Sequence, residues 1–225
     1  MRAPISIVIP TLDAEGGLPA CLGSLGEGLQ AGLIRELVIS DGGSRDATLK
    51  IAGQAGARIV TGPPSRGGQI RRGIAAAEGD WLLVLHADTH LAKGWMEAVL
   101  PVLTQPGAWH FQLGFDAQGV MPRWVAGWAN LRSRLFHLPY GDQGLLIHRQ
   151  VLETAGGYPD MPLMEDVALA RRLKTRLRGL PATAVTSADK YRREGWLRRG
   201  ARNLGTLARY FAGADVSALA RRYRR

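Results

Sequence analysis

The 225-residue sequence predicts an α/β fold: a Rossmann-like, mostly parallel sheet flanked by helices, with a basic amphipathic helical extension at its C-terminal end. Three observations carry this expectation. Short apolar runs alternate with segments of helical periodicity, the rhythm of parallel βαβ units. The run Trp81-Leu82-Leu83-Val84-Leu85 is apolar throughout, as a strand covered on both faces must be, and it stops abruptly at His86-Ala87-Asp88. Charge is also segregated: residues 171–225 hold 16 Lys/Arg against 3 Asp/Glu, whereas residues 1–170 carry a balance of −3.

In chain order, Ile5–Ile9 reads as the first strand and Leu18–Leu29 as a helix weakened by Gly23, Gly26 and Gly28. Glu36–Ser40 and Ala57–Thr61 read as the second and third strands, each followed by a helix, over 46–55 and 67–77. Trp81–Leu85 is the fourth strand, and a right-handed half-domain is the simplest topology. Past residue 105 the rhythm changes. Trp109–Phe115 alternates like a half-buried strand, and Trp124, Trp128, Leu131 and Leu135 form a helical stripe that reads as core. Gly144–His148 reads as another strand, followed by a short helix to Ala155, and Leu163–Leu173 as a helix opened by Glu165 and Asp166. Beyond it, Leu197, Leu204, Leu207, Ala208 and Phe211 recur at helical spacing among arginines, and Val216, Leu219, Ala220 and Tyr223 repeat the pattern. Such a helix docks on its own protein or lies on an anionic bilayer.

Composition narrows the function classes. The single Cys21 excludes an internal disulfide framework and Cys-rich zinc modules. No run of 18 apolar residues occurs, and Ile5–Ile9 is too short and too soon followed by Pro10 for a secretory signal, so a cytoplasmic protein is expected. The basic C-terminal end points to a polyanionic partner: nucleic acid, an anionic membrane surface or a phosphorylated substrate.

Four segments carry chemistry, each at a strand end or a helix start. Pro10-Thr11-Leu12-Asp13-Ala14-Glu15 breaks the first strand into acids and a hydroxyl. Ser40-Asp41-Gly42-Gly43-Ser44-Arg45-Asp46 ends the second in an acid and two glycines, where a following helix N-terminus offers N–H groups to an anion. Ser65-Arg66-Gly67-Gly68-Gln69-Ile70-Arg71-Arg72 sets glycines and cations at a helix start. His86-Ala87-Asp88 lies beyond the central strand, where ligands of open α/β sheets collect, although Asp88 could equally cap the following helix. Together these describe a nucleoside diphosphate beside a divalent metal. Neither a P-loop lysine pattern nor G-x-G-x-x-G after the first strand is present, which argues against kinases, ATPases and NAD enzymes.

In order and spacing these segments, with Gly79-Asp80-Trp81, Gly156-Gly157-Tyr158 and Met164-Glu165-Asp166, resemble family 2 glycosyltransferases of the GT-A fold. Gly141-Asp142-Gln143 and Leu163-Met164-Glu165-Asp166-Val167 further resemble the small selenium- or radical-SAM-associated, arsenosugar-linked subgroup. The resemblance implies a catalytic domain over 1–186, with a nucleotide-sugar donor half over 1–105 and an acceptor half over 106–186, then a basic extension over 187–225. It implies that Thr11, Asp13 and Glu15 surround the nucleoside, that Asp41 contacts the base, and that Arg66, with Arg71 as neighbour, lies near the phosphates. Pro10, Gly42, Ser44 and Ala87 complete the donor set. Asp88 matches the last acid of the family's D-x-D motif and would bind Mn²⁺ or Mg²⁺. Asp166, beside Glu165, matches the general base of an inverting transfer from a UDP- or GDP-sugar to an acceptor hydroxyl. The chain departs from the family pattern at His86 and Thr89, where acids are usual. An imidazole ligand at His86 would shift preference from Mg²⁺ toward Mn²⁺.

Competing readings are a nucleotidyltransferase on a similar sheet, and a metallohydrolase built on His86, Asp88 and His90 and completed by His110, His137 or His148. A non-enzymatic nucleic-acid-binding protein acting through the basic tail leaves Asp41, Asp88 and Asp166 unexplained. The reading adopted places a cytoplasmic enzyme on the inner face of a membrane, with nucleic acid disfavoured as partner.

Overall fold

Ile5, Ile7 and Ile9 point to one side of the first strand and Val8 to the other, and all four are fully buried. That alternation, with no polar face, requires cover on both sides of the sheet. A computed structural model, which describes residues 3–224, supplies it. The strands are β1 (Ile5–Thr11), β2 (Ile34–Asp41), β3 (Arg58–Thr61), β4 (Trp81–Val84), β5 (Thr89–Leu91), β6 (Ala108–Phe115), β7 (Leu145–His148) and β8 (Leu177–Thr186). They form one sheet in the order β3-β2-β1-β4-β7-β6-β8-β5. β3, β2, β1 and β4 run parallel, and β7 is antiparallel to both β4 and β6. β8 lies parallel to β6 and antiparallel to β5.

The helices are α1 (Leu18–Gly23), α2 (Gly26–Gln30), α3 (Thr48–Gln54), α4 (Arg66–Ala76), α5 (Trp95–Val99), α6 (Val120–Phe136), α7 (Arg149–Thr154), α8 (Glu165–Leu173), α9 (Asp189–Glu194), α10 (Trp196–Phe211) and α11 (Val216–Arg224). On one face of the sheet, Ile5, Ile7, Ile9, Leu83 and Leu85 pack with Leu18, Cys21 and Trp95. On the other, Val8, Leu82 and Val84 pack with Ile70 of α4 and Leu169 of α8. Cys21 is fully buried, and burial, with the Asp88 charge second, pushes its thiol up to about 12, so it is a packing residue.

Three expectations change. The helix expected over 18–29 is two helices, because the chain bends at Ser24-Leu25 so that Ser24 can serve α5: its carbonyl accepts from Trp95 Nε1 (3.0 Å). β5 and β8 extend the sheet beyond the strands read from the sequence. The aromatic stripe on α6 is not core: Trp124 and Trp128 are exposed, with Leu131 and Leu135. α6 turns small residues, Ala126, Ala129 and Ser133, inward instead, and clips to β6 through two bonds between Asn130 and the Leu113 backbone. Small inward residues let the helix lie close to the sheet, which rotates the bulky stripe outward.

The C-terminal extension packs on the domain. Leu219 and Ala220 of α11 join Leu163, Met164 and Val167 at the start of α8. Glu194 pairs with Arg199 (2.8 Å) and Arg202 (3.1 Å), and Asn203 donates to Tyr191 Oη (3.1 Å). The last residue of this basic extension, Arg225, lies outside the described residues.

Candidate active site

The parallel strands deliver their chemistry to one edge of the sheet. At the ends of β1 and β2, Asp41 is fully buried and receives four hydrogen bonds. Thr11 Oγ1 (2.9 Å) and Ser44 Oγ (2.5 Å) donate to one carboxylate oxygen, and the Gly43 (2.7 Å) and Ser44 (2.8 Å) amides to the other. Burial works to raise its pKa, but these donors outweigh it and hold the carboxyl below its ordinary value. Exposed Asp13 accepts from the Arg45 amide (2.8 Å), Glu15 from Ala47 (2.9 Å) and Asp46 from Thr48 (3.0 Å). Amides expected to meet an anion ahead of α3 are thus taken by the protein's own carboxylates. The α4 start is treated alike: the Gly67 amide donates to Met161 O (2.9 Å) and Gly68 to Ser65 Oγ (3.3 Å).

Gln69 is a residue that motif reading missed. Its buried amide group donates to Thr11 O (2.7 Å) and Ser40 O (3.1 Å) and accepts from the Ser65 amide (3.1 Å). It ties the ends of β1 and β2 to the start of α4, and it lies against Gly42. A polar residue among α4's glycines was the available signal.

The second part of the site is a cavity of about 100 Å³ whose lining includes Arg66, His86, Asp88, Asp142, Asp166 and Lys190. It adjoins the β1 loop, because Gly17 sits so close to Ala87 and Asp88 that a Cβ there would be 2.7 Å from Ala87 O. Asp88 receives Lys190 Nζ at 3.2 Å. Burial opposes its ionisation, but Lys190, His86 and Arg66 outweigh burial and hold its carboxyl below the ordinary value. Burial, and then the Arg66 charge, pushes His86 down to about 4, so the imidazole is neutral at neutral pH. Arg66 reaches in from the first residue of α4. Loss of solvation disfavours its charge, but Glu165, Tyr223, Asp166 and Asp88 more than compensate and raise its pKa.

α8 enters through Met164 in the left-handed region (φ 61°), a turn that few non-glycine residues adopt. Within the helix its two first acids, adjacent in sequence, point in different directions. Asp166 lines the cavity, with Oδ2 accepting from the Gly141 amide (2.6 Å) and Oδ1 from Val167 (2.7 Å). Glu165 is fully buried, does not line the cavity, and has no hydrogen-bond partner on either oxygen. Burial, then Asp166, pushes its pKa up to about 7 against Arg66. Asp142 lies in the cavity wall with one oxygen unpartnered, and burial pushes it up to about 6 against Arg132.

Of the other sequence candidates, Arg71 turns away to an exposed pair with Asp160 (3.2 Å), and Pro10, Thr11, Asp13, Glu15, Asp41, Gly42, Ser44 and Ala87 stay outside the cavity lining. His110, His137 and His148 bond to the Phe111 carbonyl, the Leu177 carbonyl and the Gln150 amide. None of them, nor His90, lines the cavity, so a three-histidine hydrolase centre is not assembled. Tyr191, Arg199, Asn203 and Tyr223 of the C-terminal extension do line it. The sequence pointed to the segment Lys190-Tyr191-Arg192-Arg193, of which Lys190 and Tyr191 line the cavity, but held no motif for Arg199, Asn203 and Tyr223, which lie on later helices.

Among solved structures, the chain superposes on Staphylococcus aureus TarS with a TM-score of 0.62 at 16% identity, covering 84% of this chain and 38% of TarS. It superposes on Mycobacterium tuberculosis glucosyl-3-phosphoglycerate synthase with a TM-score of 0.51 at 22% identity, covering 82% and 70%. The fold is therefore the GT-A arrangement. In sequence it is 41% identical over 99 residues to a PGL/p-HBAD biosynthesis glycosyltransferase of M. tuberculosis, covering 40% of this chain and 38% of the relative. It is 34% identical over 93 residues to glucosyl-3-phosphoglycerate synthase of Mycolicibacterium paratuberculosis, covering 37% and 28%. The matched part thus spans less than two-fifths of either relative's length. The model of "Glycosyl transferase family 2" matches residues 6–146, more than half of the sequence, and the chain belongs to that family.

Proposed function

We propose that the protein is an inverting glycosyltransferase that moves a sugar from a UDP- or GDP-linked donor to an acceptor hydroxyl. The observation that carries this reading is the meeting of Asp166 with Arg66, Asp88 and neutral His86 around one cavity at the strand ends. Breaking a sugar–diphosphate bond leaves negative charge on the departing oxygens, and Arg66 and Lys190 supply preorganised positive charge for it. Asp166, held by two backbone amides, is oriented to take the proton of the attacking hydroxyl. Attack from the face opposite the leaving group inverts the anomeric carbon.

The donor set suits a divalent cation. His86 and Asp88 offer a neutral nitrogen and a carboxylate, and no cluster of three or more His, Cys, Asp or Glu among the described residues could hold an ion alone. A hard cation in a phosphate site takes one or two protein ligands and completes its shell with phosphate oxygens and water. Mn²⁺ or Mg²⁺, bound by Asp88 and His86, would neutralise charge on the diphosphate. M. tuberculosis glucosyl-3-phosphoglycerate synthase holds Mn²⁺ with UDP, and TarS holds UDP or UDP-GlcNAc, which supports this choice of cofactor and donor. Lys190, now on Asp88, would turn to the phosphates.

Asp41, Asp13 and Glu15 would shape the nucleoside loop through the hydrogen bonds above, with Thr11, Ser44, Pro10, Gly42 and Ala87 as its walls. Glu165 acts behind Arg66 and Asp166 as a positioning residue. Gly141–Gln143 and Leu163–Val167, the segments resembling the selenium- or radical-SAM-associated subgroup, flank the acceptor side, so an acceptor from that chemistry is the first to try. The charge of residues 171–225 separately suits an anionic membrane surface as partner.

Thermal unfolding with UDP, GDP, dTDP and CMP, with and without Mn²⁺, tests the donor site. At about 100 times its dissociation constant, a ligand stabilises the native state by about 2.7 kcal/mol. A Mn²⁺-dependent shift with one diphosphate is expected, and no shift with any nucleotide would refute the reading.

A further inference from the structure

α6 carries its apolar residues on the wrong side for a core helix. Trp124 is 59% exposed, Trp128 48% and Leu135 57%, while its inward side carries Val125, Ala126, Ala129, Arg132 and Ser133. α10, which lies against α6, repeats the inversion: Leu197 is 65% exposed and Phe211 47%, with Leu204 between them. Two adjacent helices each carry a row of exposed Trp, Leu or Phe at helical spacing, which isolated surface hydrophobics do not account for.

Charge distinguishes what such a patch meets. Neither α6 nor α10 contains an Asp or Glu. Their arginines divide by direction. Arg199 and Arg202 are paired with Glu194. Arg123, Arg134, Arg198 and Arg209 are exposed, and none has a carboxylate within 4.0 Å among the described residues. A second copy of this face would bring like charges together, whereas an anionic surface complements them. Tryptophans among leucines with flanking arginines suit the interfacial zone of a bilayer, where indole rings settle at headgroup depth and guanidinium groups meet phosphates.

We infer that the outer face of α6 and α10 docks on an anionic lipid bilayer. The inner side of the same wall belongs to the cavity: α10 contributes Arg199 and Asn203, and Arg132 of α6 stacks 3.6 Å over the ring of cavity residue Tyr140. Docking would bring the acceptor side of the cavity to the membrane surface. That consequence rests on the proposed transferase activity; the docking does not.

The experiment is vesicle flotation of the full chain at about 150 mM salt, with neutral phosphatidylcholine vesicles and with vesicles in which about a third of the lipid is anionic. Wild type is expected to float with anionic vesicles only. Trp124→Asp/Trp128→Asp and Arg198→Glu/Arg209→Glu should each weaken binding by about tenfold or more, with thermal midpoints and nucleotide-induced shifts unchanged. Absence of flotation with anionic vesicles, or variants that float like wild type, would overturn the inference. A wild-type dimer in size-exclusion chromatography that Trp124→Asp/Trp128→Asp converts to monomer would assign the face to self-association and overturn it equally. A nucleotide shift without flotation refutes docking alone, and flotation without any nucleotide shift refutes the donor site alone.

Discussion

Glu165→Gln should stabilise the protein in alkaline solution and leave it nearly unchanged in acid. The native carboxyl titrates at about 7 against an ordinary value of 4.5, and its titratable neighbours are Asp166, Arg66 and Tyr158. A proton held more tightly in the native state favours folding. Its contribution is complete below pH 4.5 and is lost as the pH rises through 7. At about 1.4 kcal/mol per pKa unit, the loss is about 3 kcal/mol. Glutamine is neutral throughout, and because neither carboxylate oxygen has a hydrogen-bond partner, the exchange forfeits no bond. For a chain of this size each kcal/mol moves the midpoint by about 2–4 °C. The variant should therefore melt about 6–12 °C above wild type at high pH, with the gap closing toward pH 4.5. The assay is differential scanning fluorimetry of both proteins across that range. Asp142, which also titrates high, remains in both and cancels. Parallel pH profiles, or a variant less stable than wild type in alkali, would show that Glu165 is ionised and held by Arg66, and would refute the reasoning.

Other outcomes follow from the same geometry. Asp166→Asn should reduce transfer by about 10²–10⁴-fold while keeping the nucleotide-induced thermal shift; equal loss of both would mark Asp166 as structural. Asp41→Ala removes the acceptor for four donors in a buried loop, and urea unfolding should show a loss of about 3–5 kcal/mol; a loss below about 1 kcal/mol would mean that water replaces the carboxylate. Gly67→Ala places a methyl 2.1 Å from Pro159 O, so the 159–161 backbone must shift to admit it, and the loop should become open to limited proteolysis. Unchanged cleavage would refute that packing argument.

The parallel half of the sheet was legible because its signal is redundant: β1 and β4 are buried along nearly their whole length, and β1, β2 and β3 each lead through a turn into a helix. β8 was hidden by its own composition. Gly179 and Pro181 interrupt it, and Pro181 falls where the pairing with β6 slips, between His110↔Gly179 and Gln112↔Thr183. A proline is tolerated in a strand at such an irregularity, but sequence reading treats it as a terminator. The α6 stripe misled for a different reason. Periodicity identifies a helix and its apolar face, but which face the sheet takes depends on how closely the backbones approach. Here Ala126 and Ala129 decide it. In the site, motif spacing found Asp88 and Asp166 but not their separation from Glu165. Adjacent acids on a helix stand about 100° apart, and which of the two meets the cavity depends on how α8 is set against it, which sequence does not display.

Sheet order explains why Asp88 and Asp166 meet at one cavity. β4 is the last parallel strand and β7 the first antiparallel one beside it, with Val84 opposite Leu145. The end of one strand and the start of the other therefore share an edge, and segments 85–88 and 141–144 lie side by side. Contact is tight enough that a Cβ on Gly141 would sit 2.6 Å from the His86 ring. The Gly141 amide then fixes Asp166 from α8, far along the chain. A ligand crevice forms in an open α/β sheet where strand direction or order changes. In this chain the antiparallel insertion of β7 creates that change, with Asp88 on the β4 side and Asp166 anchored on the β7 side. Lengthening the 141–144 turn should therefore separate Asp166 from Asp88 without unfolding either half, and transfer should fall while nucleotide binding persists.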